Sequence, residues 1–152
     1  MGIEIERKFL VIAAQWRPGE GTLLRQGYLS REPQRTVRVR IAGIQAFITI
    51  KGPSHGPVRT EFEYSIPLQD AAVLLQMCDG PLIEKVRYEV EHGGLCWEVD
   101  EFLGQNRGLL LAEVELTAAD QHFERPAWAG EEVTYDPRYF NSQLVAHPYA
   151  TW

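Results

Sequence analysis

The feature that most constrains this chain is strict two-residue alternation in which one face of nearly every segment is ionisable. Successive side chains of a β-strand point to opposite faces, so residues two apart share a side. Glu4, Glu6 and Lys8 share one face of the first segment, against Ile3, Ile5, Arg7 and Phe9. Arg38 and Arg40 oppose Val37, Val39 and Ile41, and Lys51 opposes Ile48 and Ile50. The pattern continues with Arg59, Glu61 and Glu63 against Phe62 and Tyr64, then Lys85 and Arg87 against Val86 and Tyr88. Glu98 and Asp100 oppose Trp97 and Val99, and Glu113 and Glu115 oppose Val114 and Leu116. Eight strands follow, at Ile3–Ile12, Leu23–Leu29, Thr36–Ile41, Ala46–Lys51, Arg59–Ile66, Ile83–Glu91, Leu95–Phe102 and Leu109–Leu116.

Turn chemistry joins them: Arg17-Pro18-Gly19, Ala42-Gly43, Gly52-Pro53 to Gly56-Pro57, and His92-Gly93-Gly94, whose glycines supply the positive φ of a tight hairpin. Three helices are expected. Pro67–Cys78 carries an apolar stripe of Leu68, Ala71, Ala72, Leu75 and Cys78. Thr117–Arg125 opens on Thr-x-x-Asp and stops before Pro126, and Asn141–Ala146 has Asn141 as its cap. The 152 residues suit one domain, 1–152, large enough for a real core.

A solvated outer face is the ordinary explanation of charged alternation in an antiparallel sheet. Two observations argue against it. Such faces normally mix Ser, Thr and Gln with charges, whereas these positions are almost wholly Glu, Asp, Arg or Lys. Like charges also stack, as in Glu4 with Glu6, Arg38 with Arg40 and Glu113 with Glu115, which costs energy unless a ligand neutralises them. The chain has 12 arginines and only three lysines, Lys8, Lys51 and Lys85, each inside a strand rather than on a loop. Closing the strands into a barrel with apolar faces outward brings the ionisable faces together around a tunnel. Basic pairs there suit phosphate oxygens, and carboxylate pairs suit a hard cation such as Mg²⁺ or Mn²⁺. A metal-bound polyphosphate and phosphoryl transfer are the chemistry this implies.

The formal net charge of −6 argues against general affinity for nucleic acid. The apolar runs are too short to span a membrane as helices. Met1-Gly2-Ile3 leads straight into charged residues rather than a secretory leader, and Cys78 and Cys96 lack metal-ligand spacing. A cytoplasmic protein is the expectation. Its outer apolar faces exceed what three short helices cover, which leaves room for a homodimer.

The ordered set Glu4-Ile5-Glu6-Arg7-Lys8, Gln26-Gly27-Tyr28, Arg38-Val39-Arg40, Lys51-Gly52, Arg59-x-Glu61-x-Glu63, Lys85-Val86-Arg87, Glu98-Val99-Asp100 and Glu113-Val114-Glu115 resembles the CYTH domain, the triphosphate tunnel metalloenzyme superfamily. The likeness runs through nearly the whole chain and is nearest to the bacterial stand-alone inorganic triphosphatases. It implies a mainly β, α+β fold: an eight-stranded antiparallel closed barrel with a few peripheral helices. It also implies metal-dependent hydrolysis of a small-molecule triphosphate. Glu4, Glu6, Asp100, Glu113 and Glu115 would face the metal. Lys8, Arg38, Arg40, Lys51, Lys85 and Arg87 would hold phosphate. Lys8, Lys85, Glu61 and Glu63 would be catalytic, the two glutamates placing a second metal or the attacking water. Thiamine or nucleoside triphosphates, a class IV-type adenylate cyclase, and a non-catalytic polyphosphate-binding module are the competing readings. The His-Phe pair that precedes the motif in cyclase-like members is absent here. Tyr28 shares a face with Leu24 and Gln26 and is a candidate to limit the tunnel's length.

Overall fold

The structure is a computed structural model and describes residues 2–12, 16 and 19–152. Its nine strands are β1 (Ile3–Val11), β2 (Thr22–Glu32), β3 (Arg35–Ala42), β4 (Gln45–His55), β5 (Val58–Ser65), β6 (Asp79–His92), β7 (Leu95–Phe102), β8 (Leu110–Glu115) and β9 (Ala129–Glu132). They form one antiparallel sheet in the order β5-β4-β3-β2-β6-β7-β8-β1-β9. Pairing of Ile3, Glu4 and Ile5 with Thr60, Arg59 and Val58 closes β1 onto β5, giving an eight-stranded barrel with β9 added outside the ring. The eight expected strands are all present. Arg17 and Pro18 of the expected first turn lie outside the described residues, while Gly43, Gly93 and Gly94 take the anticipated positive φ.

The wall is held from outside by two apolar layers. Phe9, Trp97, Val99, Ala112 and Val114 point away from the barrel axis and pack under Trp128, Phe123 and Leu116. Trp97 is the hub, with ring centroids 5.5 Å from Phe9, 5.7 Å from Phe123 and 5.6 Å from Trp128. Helix α1 (Leu68–Gln76) covers the other side by seating Ala71 and Leu75 on Val39 and Ala46. The anticipated stripe is narrower than expected, since Leu68 and Ala72 stay exposed.

No helix forms over Thr117–Arg125. Thr117 donates its N–H and hydroxyl to the side chain of Gln121 and the segment makes only a turn. Packing explains the difference, because an extended path lets Phe123 reach Phe9 and Trp97 and lets the chain continue into β9. Strand β9 has no counterpart in the periodicity, being four residues with a glycine. Its Glu132 accepts from Arg7 Nε at 2.8 Å, which explains why a charge sits on the apolar side of β1.

A third apolar cluster lies inside one half of the barrel. Ile83, Phe102 and Leu111 share the inward parity of Lys85, Asp100 and Glu113, yet they pack with Tyr28, Leu109, Val133 and Tyr139. The short helix α2 (Asn141–Ala146) completes this cluster with Leu144 and Val145. The interior is therefore blind at that end. Among the described residues no helix is long and apolar enough to cross a membrane.

Candidate active site

The remaining half of the interior is a cavity of about 250 Å³ whose wall is overwhelmingly ionisable. Strand β1 contributes Glu4, Glu6 and Lys8; β3 contributes Arg38 and Arg40; β4 contributes Lys51. Arg59, Glu61 and Glu63 come from β5, Lys85 and Arg87 from β6, Glu98 from β7, and Glu113 and Glu115 from β8. Twelve of the thirteen expected site residues thus line one cavity. The exception is Asp100, which is 1% exposed and absent from the lining.

Asp100, expected to face a metal, lies against two cations of the site. One carboxylate oxygen lies 2.7 Å from Lys85 Nζ, and both take charge-assisted bonds from Arg87 at 2.8 and 2.9 Å. Burial works against its charge, but Arg87 and Lys85 outweigh it and hold the carboxyl at about 2. It is a fixed anion that aims two cations at the cavity. Burial pulls the Lys85 ammonium well below its ordinary value despite Asp100. Arg40 falls to about 9 through burial and through repulsion from Arg38 and Arg87. An anion entering the cavity would relieve both.

Lys51 is the hinge of the acidic side, 3.1 Å from Glu4 and 3.4 Å from Glu61. Burial opposes the charge on Glu4, but Lys51 and hydrogen bonds with Glu61 and Lys51 bring its carboxyl below the usual range. Glu61 is raised by burial and by Glu4. Glu6 and Glu113 share a hydrogen bond. Burial first, then the Glu113 charge, pushes Glu6 well above the ordinary 4.5, whereas that bond with Lys8 and Arg87 holds Glu113 well below it despite burial. Within the pair, Glu6 is the carboxyl that gives up its proton less readily.

These donors fit a hard divalent cation, being oxygen ligands alone. Among the described residues no three acidic, His or Cys side chains are already drawn into a metal cage.

Several residues that line the cavity or hold its side chains were not among the expected set. Gln26, fully buried, accepts from Arg40 Nε at 2.8 Å. Thr49 accepts from Arg38 at 3.2 Å and donates to Glu63 at 3.0 Å. Thr49 lies on the parity of Lys51 and Gln26 on that of Tyr28, which was the available signal. Asn141 left none. Expected as a helix cap, it is instead the first helical residue after Phe140, and its Oδ1 accepts from Lys85 at 2.9 Å and Gln26 at 3.1 Å. Two buried donors need an acceptor, and that demand outranks a helix cap. Tyr28 faces the cavity as its parity indicated, and Arg59 lines it while donating to Gly52 O at 2.6 Å. Arg25 faces outward beside Glu84 at 3.5 Å, and His92 Nε2 lies 3.3 Å from Glu124.

A closed antiparallel barrel with cations and carboxylates from separate strands directed inward defines a class of polyanion-handling β-tunnel proteins. The CYTH domain matches residues 2–149, and the chain belongs to that family. It is 47% identical over 151 residues to an inorganic triphosphatase of Acetivibrio thermocellus, covering 98% of this chain and 97% of that one. It is 40% identical over 148 residues to an inorganic triphosphatase of Nitrosomonas europaea, covering 93% and 96%. A crystal structure of an inorganic triphosphatase is similar with a TM-score of 0.66 at 38% identity, covering 93% of each chain. A protein of Pyrococcus horikoshii, at 17% identity and a TM-score of 0.55, covering 76% of this chain and 80% of that one, shares the fold.

Proposed function

We propose that this protein hydrolyses inorganic tripolyphosphate to pyrophosphate and phosphate with a divalent metal, Mg²⁺ or Mn²⁺. The observation that carries the reading is the blind, charge-lined cavity. At about 250 Å³ it lies below the ~300–1,000 Å³ of pockets that engulf drug-sized ligands, so it suits a bare polyphosphate better than one carrying a nucleoside or thiamine. The similarity to named inorganic triphosphatases over nearly the whole chain supports the same substrate.

Lys8, Arg38, Arg40, Lys51, Lys85 and Arg87 bind and orient the chain of phosphates. Preorganised donors of this kind hold the charge that develops on phosphate oxygens without reorganising in the act. Glu4, Glu6, Glu113 and Glu115 would hold the metal, with Asp100 positioning Lys85 and Arg87 from behind. When bound, the metal polarises the phosphoanhydride bond as a Lewis acid. Glu61, raised by burial and Glu4, is suited to orient a water and accept its proton, with Glu63 beside Arg38 and Thr49 completing that wall. The carboxylates on several strands disfavour a module that only binds, since capture alone needs the basic groups. A cytoplasmic location agrees with two free thiols, Cys78 and Cys96.

Phosphate release from tripolyphosphate, ATP and thiamine triphosphate, each with Mg²⁺ and Mn²⁺, tests this. Orthophosphate from tripolyphosphate at a kcat/KM well above the other two is expected. A cyclic nucleotide product, preference for an organic triphosphate, or binding without turnover would overturn it.

A further inference from the structure

The inner end of the cavity is built from the C-terminal segment rather than from the barrel wall. Phe140, Asn141 and Ser142 line it, with Leu144 and Val145 of the same helix anchored in the apolar cluster behind. This segment offers the site's cations what a phosphate would offer. Lys8 Nζ donates to Tyr139 O at 3.0 Å and lies 5.7 Å from the Phe140 ring. Asn141 Oδ1 accepts from both Lys85 and Gln26, and Gln26 in turn accepts from Arg40. One neutral oxygen thus stands at the inner limit of the phosphate-facing cations, held by two buried donors.

We infer that Asn141 is a specificity-determining residue: its side chain is the stop against which the end of the substrate rests, and it fixes how many phosphates the cavity admits. This rests on the polyphosphate reading of the same cavity. A chain with one more phosphate cannot advance past Lys85, because the Asn141 amide fills the space and already satisfies the donors there. Shortening the side chain does two things together. It opens room beside Lys85, and it leaves the Gln26 amide without its acceptor and the Lys85 ammonium with Asp100 alone. Unpaired buried donors are costly, so a phosphate oxygen moving into the opening is rewarded. Asn141→Asp, by contrast, keeps the shape of the stop and adds negative charge to it.

The test compares kcat/KM for inorganic tetrapolyphosphate and tripolyphosphate in the intact protein with saturating Mg²⁺. The variants are Asn141→Ala, Asn141→Ser and Asn141→Asp, each checked for folding by thermal melting. Both shortened variants are expected to raise the tetrapolyphosphate-to-tripolyphosphate ratio by about tenfold, the scale of one added charge-assisted contact. Asn141→Asp is expected to keep the wild-type ratio while its KM for tripolyphosphate rises. If the folded Asn141→Ala and Asn141→Ser proteins keep a ratio within twofold of wild type, or neither they nor wild type turn over tetrapolyphosphate, Asn141 is not the stop. A wild-type protein inactive on tripolyphosphate would instead sink the functional reading on which the inference stands.

Discussion

The two halves of the barrel interior are lined by the same strands and the same side-chain parity, yet one is charged and the other apolar. Along β6, Arg87 and Lys85 face the cavity and Ile83 faces the blind end; along β8, Glu113 faces the cavity and Leu111 the blind end. The apolar half supplies conventional core, while the charged half keeps like charges close and ionisable groups desolvated. Strain and chemistry are therefore confined to one end, and stability comes from the other end and from the layers outside the wall. Lys85 and Asp100 sit at the border and belong to both.

That division predicts graded responses. The largest belongs to the border: Asp100→Asn leaves Lys85 and Arg87 without their buried counter-charge, and should cost ~3–5 kcal/mol in denaturant unfolding together with most activity. In the blind half, Leu111→Ala should cost ~2–5 kcal/mol of stability while the folded fraction keeps near-normal kcat. In the cavity, Lys8→Ala should reduce kcat for tripolyphosphate by ~10²-fold, the scale of a lost preorganised donor, with a melting temperature near wild type. A Lys8→Ala protein that unfolds, or a folded Leu111→Ala protein that has lost kcat, would erase the contrast.

A subtler difference lies in pH. Between the ordinary 4.5 and its raised value, Glu6 keeps a proton in the folded chain that the unfolded chain has released. Stability of the metal-free protein should therefore fall as pH climbs through that window. Glu6→Gln should flatten the slope, as should saturating Mg²⁺, whose affinity should rise with pH as it displaces the proton. Melting curves with and without metal read this directly. The smallest effect belongs outside both halves: removing the exposed Arg25–Glu84 pair should change stability by ~0–1 kcal/mol and leave activity alone.

The contrast also explains what the sequence made legible. Charged alternation is visible in one dimension, so the barrel and twelve cavity residues follow from it. Parity fixes which residues share a face but not where along a strand that face stops meeting ligand and starts meeting core; hence Ile83, Phe102 and Leu111 gave no warning of a blind end. Asp100 follows the carboxylate pattern, but its closeness to Lys85 and Arg87 exists only once β6 and β7 pair. Residues 117–125 carry a helix-start signal that is local, and the need to cover Phe9 and Trp97 is not. Asn141 is distant from every strand it serves, and only folding brings it to Lys85.

The central claim is that these separate strands converge on one triphosphate. A crystal structure of the protein soaked with tripolyphosphate and Mn²⁺ tests it most directly. Anomalous density beside Glu4, Glu6 and Glu113, with phosphates running from Arg38 and Lys51 to Lys85 and ending at Asn141, is the result expected. Density on the outer wall, or an interior without phosphate at saturating ligand, would contradict it.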